Sequence, residues 1–296
     1  MNAVFPQIKT TDSHDPIPML TEKQGVVYME FPGLKKLQGI HHIFSTRLGG
    51  VSENEFSTMN LSFTRGDREE AVKENYRRIA AVLGTKPQHM VATYQTHTTN
   101  VIRVTAHERG LGVTRPKQMT DVDGLLTNEK GVTLLAYFAD CVPLYFVDPK
   151  KKAIGLAHSG WKGTCNGIGY EMILAMEREF GCAPEDIYVA IGPSICPACY
   201  EVGEELLEEF SHSFWPRFGS KDSLLLETTL FCRKDNGKYH LNLQLANQLI
   251  FRKAGILEEH MECTNVCTCC NPKLLFSHRA TQGKRGNLCA FLGLDE

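Results

Sequence analysis

Residues 132–163 read VTLLAYFADCVPLYFVDPKKKAIGLAHSGWKG. Three apolar runs follow one another here, VTLLAYF (132–138), PLYFVD (143–148) and AIGLAH (153–158). Each has the length of a strand and is apolar enough to be covered on both faces. Working outward, MVATYQ (90–95), NVIRVT (100–105) and IYVAIGP (187–193) predict further strands, with the last near 257–262 and 287–293. HHIFSTRLGG (41–50) reads as a strand running into a glycine turn. Helices are predicted at 67–83, from about Gly163 to Phe180, and at 202–213 and 241–254. The first has Asp67 as a cap, Glu69 and Glu70 in its opening turn and Gly84 as its stop. Strands and helices mix without regular βαβ alternation. That predicts a mixed α/β, α+β-like layered sandwich rather than a doubly wound sheet.

The chain has 296 residues, 42% hydrophobic and 22% charged, which is ordinary globular composition with enough length for one large domain or two small ones. Residues 1–25, with Pro16 and Pro18, are expected to form a loosely ordered arm, and 26–296 a single domain. A net charge of -2 gives no overall basic field for nucleic acid or anionic lipid. No apolar run approaches the roughly 18 residues of a membrane span, and the polar N-terminus carries no signal core. The expectation is a cytoplasmic protein with neither nucleic-acid nor membrane partners; its oligomeric state is left open. Eleven cysteines without an export signal are read as reduced thiols, some free to bind metal or react. No G-x-G-x-x-G or P-loop segment joins a strand to a helix, so a dinucleotide or P-loop site has no support.

Histidine or cysteine sits at the strand ends in three segments: His97 in YQTHTTNV, Cys141 in FADCVPLYF and His158 in GLAHSGWKG. Two imidazoles and one thiolate suit zinc, and three protein ligands leave a fourth position open for chemistry. The three are far apart in sequence, so spacing alone leaves the alternative of satisfied residues in a core.

The motifs Q-T-H, A-D-C-V-P, A-H-S-G-W-K-G and G-P-S-I-C-P-A-C-Y-E-V occur in this order. Together with S-T-R-L-G-G-V-S (45–52), M-N-L-S (59–62), D-V-D-G-L-L-T (121–127) and F-S-H-R (276–279), they resemble the YfiH family. That family is also called the laccase-domain or purine nucleoside phosphorylase family, and it includes the bacterial peptidoglycan editing factor. The resemblance runs from about His41 to Leu294. It implies a layered α/β/β/α sandwich with mixed sheets, similar to a toxin deamidase domain. It also implies zinc held by His97, Cys141 and His158, with copper as the alternative ion. The implied chemistry is phosphorolysis of adenosine, inosine and S-methyl-5'-thioadenosine and deamination of adenosine, so the partners are a purine nucleoside and phosphate. Where the family more usually has A-H-A-G-W-R, this chain has Ser159 and Lys162, and lysine lacks the bidentate fork of arginine.

Other residues carry a functional and a structural reading side by side. Arg47, in a glycine-flanked loop, suits an anion or a solvated surface, and Arg279 is a second candidate anion clamp. Asn60 could bind purine or ribose or cap a turn. Gln95 is read as orienting a metal ligand or substrate, and Asp123 as a general acid/base, a carboxylate behind a ligand, or a turn residue. Asp140 is expected to be structural. Trp161 is read as packed core sooner than as a base-stacking platform. Cys196 and Cys199 form C-x-x-C, and Cys263, Cys267, Cys269 and Cys270 crowd into eight residues. Thiolates at such spacing can reach one ion, but C-x-x-x-C-x-C-C fits no usual structural zinc pattern, and the reading leaves them out of the ligand set.

The leading expectation is a zinc-dependent purine nucleoside enzyme. Its rivals are a Cys141–His158 amidase acting on a peptidoglycan precursor, a copper phenol oxidase, and a zinc-stabilised binding protein. A single mononuclear site lacks the several coppers that four-electron oxygen reduction uses, and an open coordination position argues against a purely structural ion.

Overall fold

The computed structural model describes residues 6–219 and 226–295. Two six-stranded mixed sheets are stacked face to face. The first runs, in spatial order, β1 (Met19–Lys23), β2 (Val26–Glu30), β3 (Ile40–Ser45), β15 (Leu288–Leu294), β7 (Thr133–Phe138) and β4 (Met90–Val91). The second runs β14 (Met261–Cys263), β10 (Tyr188–Ile191), β8 (Val142–Asp148), β9 (Ala153–Ser159), β6 (Gly124–Thr127) and β5 (Val101–Arg103). Neighbours are antiparallel except at the edges, where β4 joins β7, β5 joins β6 and β14 joins β10 in parallel. A small antiparallel sheet of β11 (Glu201–Val202), β13 (Tyr239–Leu241) and β12 (Phe231–Arg233) lies beside them.

Three apolar layers hold the stack. Phe44, Leu134, Ala136, Tyr145, Val147 and Leu156 fill the space between the sheets. The helices Ile168–Phe180 and Leu243–Ala254 cover the outer face of the second sheet through Met172, Met176, Ile250 and Phe251. The helix Glu69–Leu83 covers the first through Val72, Tyr76 and Ile79. This is the α/β/β/α sandwich, and it explains why every residue of β8 and β9 is buried. Tyr145 crosses the middle layer and donates its hydroxyl to the Ile43 carbonyl, 3.0 Å away, tying one sheet to the other. Truncating a ring such as Phe146 in these layers would cost about 3–5 kcal/mol.

Several boundaries differ from the sequence reading. The strand expected at 90–95 stops at Val91, because the chain then leaves the first sheet to cross to the second. The helix expected from Gly163 is two, Trp161–Cys165 and Ile168–Phe180, broken where Gly167 takes φ +80°. The cap of the first long helix is Arg68 rather than Asp67, whose carboxylate instead accepts from Ser52 Oγ and Asn60 Nδ2. The helix expected at 202–213 is regular over Glu204–Glu209 and then widens into a π turn. Of the expected loose arm, residues 1–5 lie outside the described residues. The remainder carries structure: β1 pairs with β2, and Asn265 accepts the Ile17 N–H and the Thr11 N–H. Among the described residues no helix is long and apolar enough to cross a membrane.

Candidate active site

The chain passes between the two sheets three times on one side of the stack, from β4 to β5, from β7 to β8 and from β14 to β15, and the site forms there. His97 lies on the crossing from β4 to β5, and Cys141 on the short crossing from β7 to β8. His158 is the penultimate residue of β9 and pairs in register with Pro143, which brings it beside Cys141. The ligand-capable atoms of His97, Cys141 and His158 all lie within 4.8 Å of one another. Cys141 Sγ is 4.0 Å from His97 Nε2, and the two imidazoles meet edge to face with centroids 4.9 Å apart. An ion with Zn–N and Zn–S bonds of about 2.0–2.3 Å needs an N···S edge of roughly 3.6 Å, so small side-chain adjustments would complete the grip. His97 is exposed and Cys141 half-buried, while His158 is buried, leaving the open side toward solvent.

Asp123 organises this arrangement from beneath. Its buried carboxylate accepts the backbone N–H groups of Thr96, His97 and Thr98 at 2.9–3.1 Å, and Oδ1 lies 2.7 Å from His158 Nδ1. The bonds to the backbone hold His97 at φ +68°, a left-handed conformation that residues other than glycine rarely take. The contact at Nδ1 turns His158 Nε2 toward Cys141, the usual way a carboxylate fixes an imidazole ligand. Burial alone would raise the Asp123 carboxyl, but the His158 contact and the backbone donors outweigh it and bring it down to about 2. Burial likewise would raise the Cys141 thiol, yet His158 and His97 lower it to about 6. Burial would depress His158, but the Cys141 sulfur and Asp123 raise it to about 9. Gly160 makes room for the cluster, since a Cβ there would stand 2.5 Å from His97 Cδ2 and 3.2 Å from Cys141 Sγ.

The three side chains stand at the foot of a cleft of about 1020 Å³, walled by Phe63, Tyr94, Gln95, Lys117, Tyr137 and Arg285 among others. Gln95 is in this wall, but its amide is engaged with Tyr137: Oε1 accepts the Tyr137 N–H at 2.8 Å and Nε2 donates to the Tyr137 carbonyl at 3.0 Å. The side chain thereby continues the sheet edge where β4 has ended. Asn60 is buried behind the cleft, where Oδ1 accepts the N–H of Ser62 and of Asn287 and so joins two of its walls. Arg47 does not line the cleft; it donates to the carbonyls of Ser57 and Pro272 and lies over the Phe276 ring. Arg279 also lies outside it, donating to the carbonyls of Cys199 and Glu201. Asp140, at φ +95°, accepts from Thr268 Oγ1 and from the Arg279 N–H. Trp161 packs against the helix-covered core.

Two cations of the cleft were not singled out in the sequence. Lys117 Nζ lies over the rings of Tyr94 and Tyr137, 4.7 and 4.2 Å from their centroids, and burial lowers its pKa to about 8. Arg285 is lowered to about 10 by burial and by Arg65, and its Nε is buried without a hydrogen-bond partner among the described residues. Arg285 has a glycine-flanked signal like that of Arg47, in G-K-R-G (283–286), but Lys117 has none: only folding brings its loop over the cleft.

The chain matches the family model described as "Multi-copper polyphenol oxidoreductase laccase" over residues 41–295. It is 37% identical over 255 residues to "Purine nucleoside phosphorylase YlmD" of Bacillus subtilis, spanning 86% of this chain and 88% of that one. Its structure superimposes on that of YlmD from Geobacillus stearothermophilus with a TM-score of 0.86 at 34% identity, over 95% of this chain and all of the other. The YfiH protein of Bacillus licheniformis gives 0.83 at 31% identity, over 93% and 99%. With the cleft, the sandwich and these matches spanning nearly the whole chain, the protein belongs to the laccase-domain (YfiH) family, whose relatives above include an enzyme named as a purine nucleoside phosphorylase.

Proposed function

We propose that this chain, as one catalytic domain over residues 26–296, is a zinc-dependent purine nucleoside enzyme. Its reactions would be phosphorolysis of adenosine, inosine and S-methyl-5'-thioadenosine, and deamination of adenosine. The observation that carries this reading is the convergence of His97, Cys141 and His158 at the foot of a cleft whose wall carries the half-desolvated cations Lys117 and Arg285. The donor set fits zinc: two imidazoles and a thiolate, with His158 held by a carboxylate on its far nitrogen. When bound, such an ion would supply Lewis-acid polarisation at its open fourth position.

The chain's own residues divide the remaining work. Phosphorolysis forms a bond from phosphate oxygen to the ribose anomeric carbon and breaks the bond to the purine nitrogen, whose electron pair leaves with the base. Lys117 and Arg285 are the groups we assign to phosphate, because each is a partly desolvated cation facing the cleft. The exposed ring of Tyr94 offers a face for the purine. Asp123 acts as a positioning residue, Gln95 and Asn60 hold the walls, and Arg47 and Arg279 brace the loops around the site. Product analysis of adenosine incubated with and without phosphate tests the assignment. Adenine appearing only with phosphate supports phosphorolysis, inosine supports deamination, and neither product from metal-replete protein overturns the reading.

A second reading has its own support: Cys141, His158 and Asp123 line up as nucleophile, base and orienting acid without a metal. It predicts amide hydrolysis that survives chelation, whereas the zinc reading predicts loss of all turnover. Copper with phenol oxidation is the third assignment for the same ligands, and a visible absorption band on copper loading is what would favour it.

A further inference from the structure

We infer that Cys196, Cys199, Cys267 and Cys270 form a second metal site, closed and structural, that takes a tetrahedral zinc ion. The sulfur atoms of these four residues lie within 4.8 Å of one another. Cys199 Sγ is 3.4 Å and Cys196 Sγ 4.0 Å from Cys270 Sγ. A zinc ion with four sulfurs at about 2.3 Å requires S···S edges of about 3.8 Å, and a disulfide would require about 2.05 Å. The separations bracket the first value and exclude the second, and all four thiols are free.

The topology explains why residues so distant meet. β10 and β14 are parallel neighbours, so the chain leaves both at the same end of the second sheet. The pairing continues past them as a bridge between Ser194 and Cys267, and the Thr268 N–H donates to the Ser194 carbonyl at 3.1 Å. Each of these two segments then makes a tight turn carrying cysteines at its ends, Cys196–Pro197–Ala198–Cys199 and Cys267–Thr268–Cys269–Cys270. Once Cys263 and Cys269 are set aside, the crowded C-terminal run is a second C-x-x-C. The pair of C-x-x-C turns is the spacing that structural zinc uses. The Cys196 N–H donates to Cys267 Sγ at 3.2 Å, the kind of backbone bond that stabilises a coordinated thiolate. Cys196 and Cys267 are buried and Cys199 and Cys270 half-buried, so four protein ligands would close the shell against solvent.

The site is wired to the first. Asp140, which precedes Cys141, accepts the Ile195 N–H on its carbonyl, Thr268 Oγ1 on one carboxylate oxygen and the Arg279 N–H on the other. Arg279 in turn donates to the carbonyl of Cys199. An ion joining the two turns would lock the frame from which Cys141 projects.

The test is metal analysis of the full chain purified under reducing, oxygen-free conditions. The wild type should hold about two zinc ions per chain, one resistant to mild chelation. His97→Ala should retain one, and the double variant Cys199→Ser/Cys270→Ser should lose the resistant one. Cobalt(II) in the His97→Ala protein should give the near-ultraviolet thiolate charge-transfer band and intense visible bands of a tetrahedral sulfur site. Should the double variant fail to fold, iodoacetamide labelling of wild type decides: peptides carrying the four cysteines should label only after metal is stripped. A single ion per chain that disappears in His97→Ala, or equal labelling of the four with and without metal, overturns the inference.

Discussion

Asp123 Oδ1 lies 2.7 Å from His158 Nδ1, and the same carboxylate receives the backbone N–H of His97. One buried side chain thus sets the orientation of both imidazoles, from a turn that the sequence marks only as Asp-Gly.

Replacing Asp123 by Asn keeps the shape and removes the charge. The amide cannot accept every donor that now converges there, and it withdraws support from His158. Zinc affinity should fall by about 10–100-fold, read by competition with a chromophoric chelator. The melting temperature should fall as well, since buried donors left unpaired cost about 1–3 kcal/mol. Wild-type affinity in the variant would remove Asp123 from its positioning role.

Gly160→Ala places a methyl group against His97 Cδ2 and Cys141 Sγ. The residue caps a short helix in an ordinary extended conformation, so the backbone itself tolerates alanine. We expect far-ultraviolet circular dichroism to be unchanged while zinc at the His97 site and turnover are lost. Retained zinc with normal turnover would show that the three ligands do not meet as closely as described.

The phosphate site should be sensitive to pH through Lys117. Burial lowers its pKa from 10.5 to about 8, so the ammonium is present below that value and lost above it. The kcat/KM for phosphate should therefore decline above about pH 8. Lys117→Arg should move the decline to higher pH, and Lys117→Met should cost about tenfold or more at neutral pH, the loss of a charged hydrogen bond. A wild-type profile in Lys117→Met would transfer the role to other cations of the cleft.

Cys141 should react in two ways depending on metal. Its thiol is lowered to about 6, and the thiolate is the nucleophile, so stripped protein should alkylate there down to about pH 6, unlike an ordinary thiol near 8.5. Metal-replete protein should be protected. Rapid labelling of Cys141 in the presence of metal would favour the metal-free nucleophile.

Much of the architecture was legible because 132–163 carries three apolar runs with no room between them for helices, which forces strands covered on both faces. The short edge strands were not, since β4 and β5 are held by pairing with β7 and β6 rather than by any periodicity of their own. Cys141 and His158 were marked by their places beside or at the end of apolar strands and by family-like motifs, whereas His97 was marked by its motif alone, since β4 ends at Val91. The cleft cations were not, because an arginine or lysine in a loop shows its direction only after the loop is placed. Arg47 and Lys117 illustrate both sides: similar loop signals in one case and none in the other, with the backbone carbonyls taking the first and the cleft the second. The first C-x-x-C, Cys196 and Cys199, was plain in the sequence, whereas the second was hidden by neighbouring cysteines that blurred its spacing.

The most direct measurement is the turnover of inosine with phosphate by Cys141→Ala, followed alongside its metal content. The account predicts that this protein lacks the ion at His97 and His158 and forms no hypoxanthine, while wild type forms it in step with phosphate consumed. Hypoxanthine production at the wild-type rate by the variant with that ion absent would contradict the account.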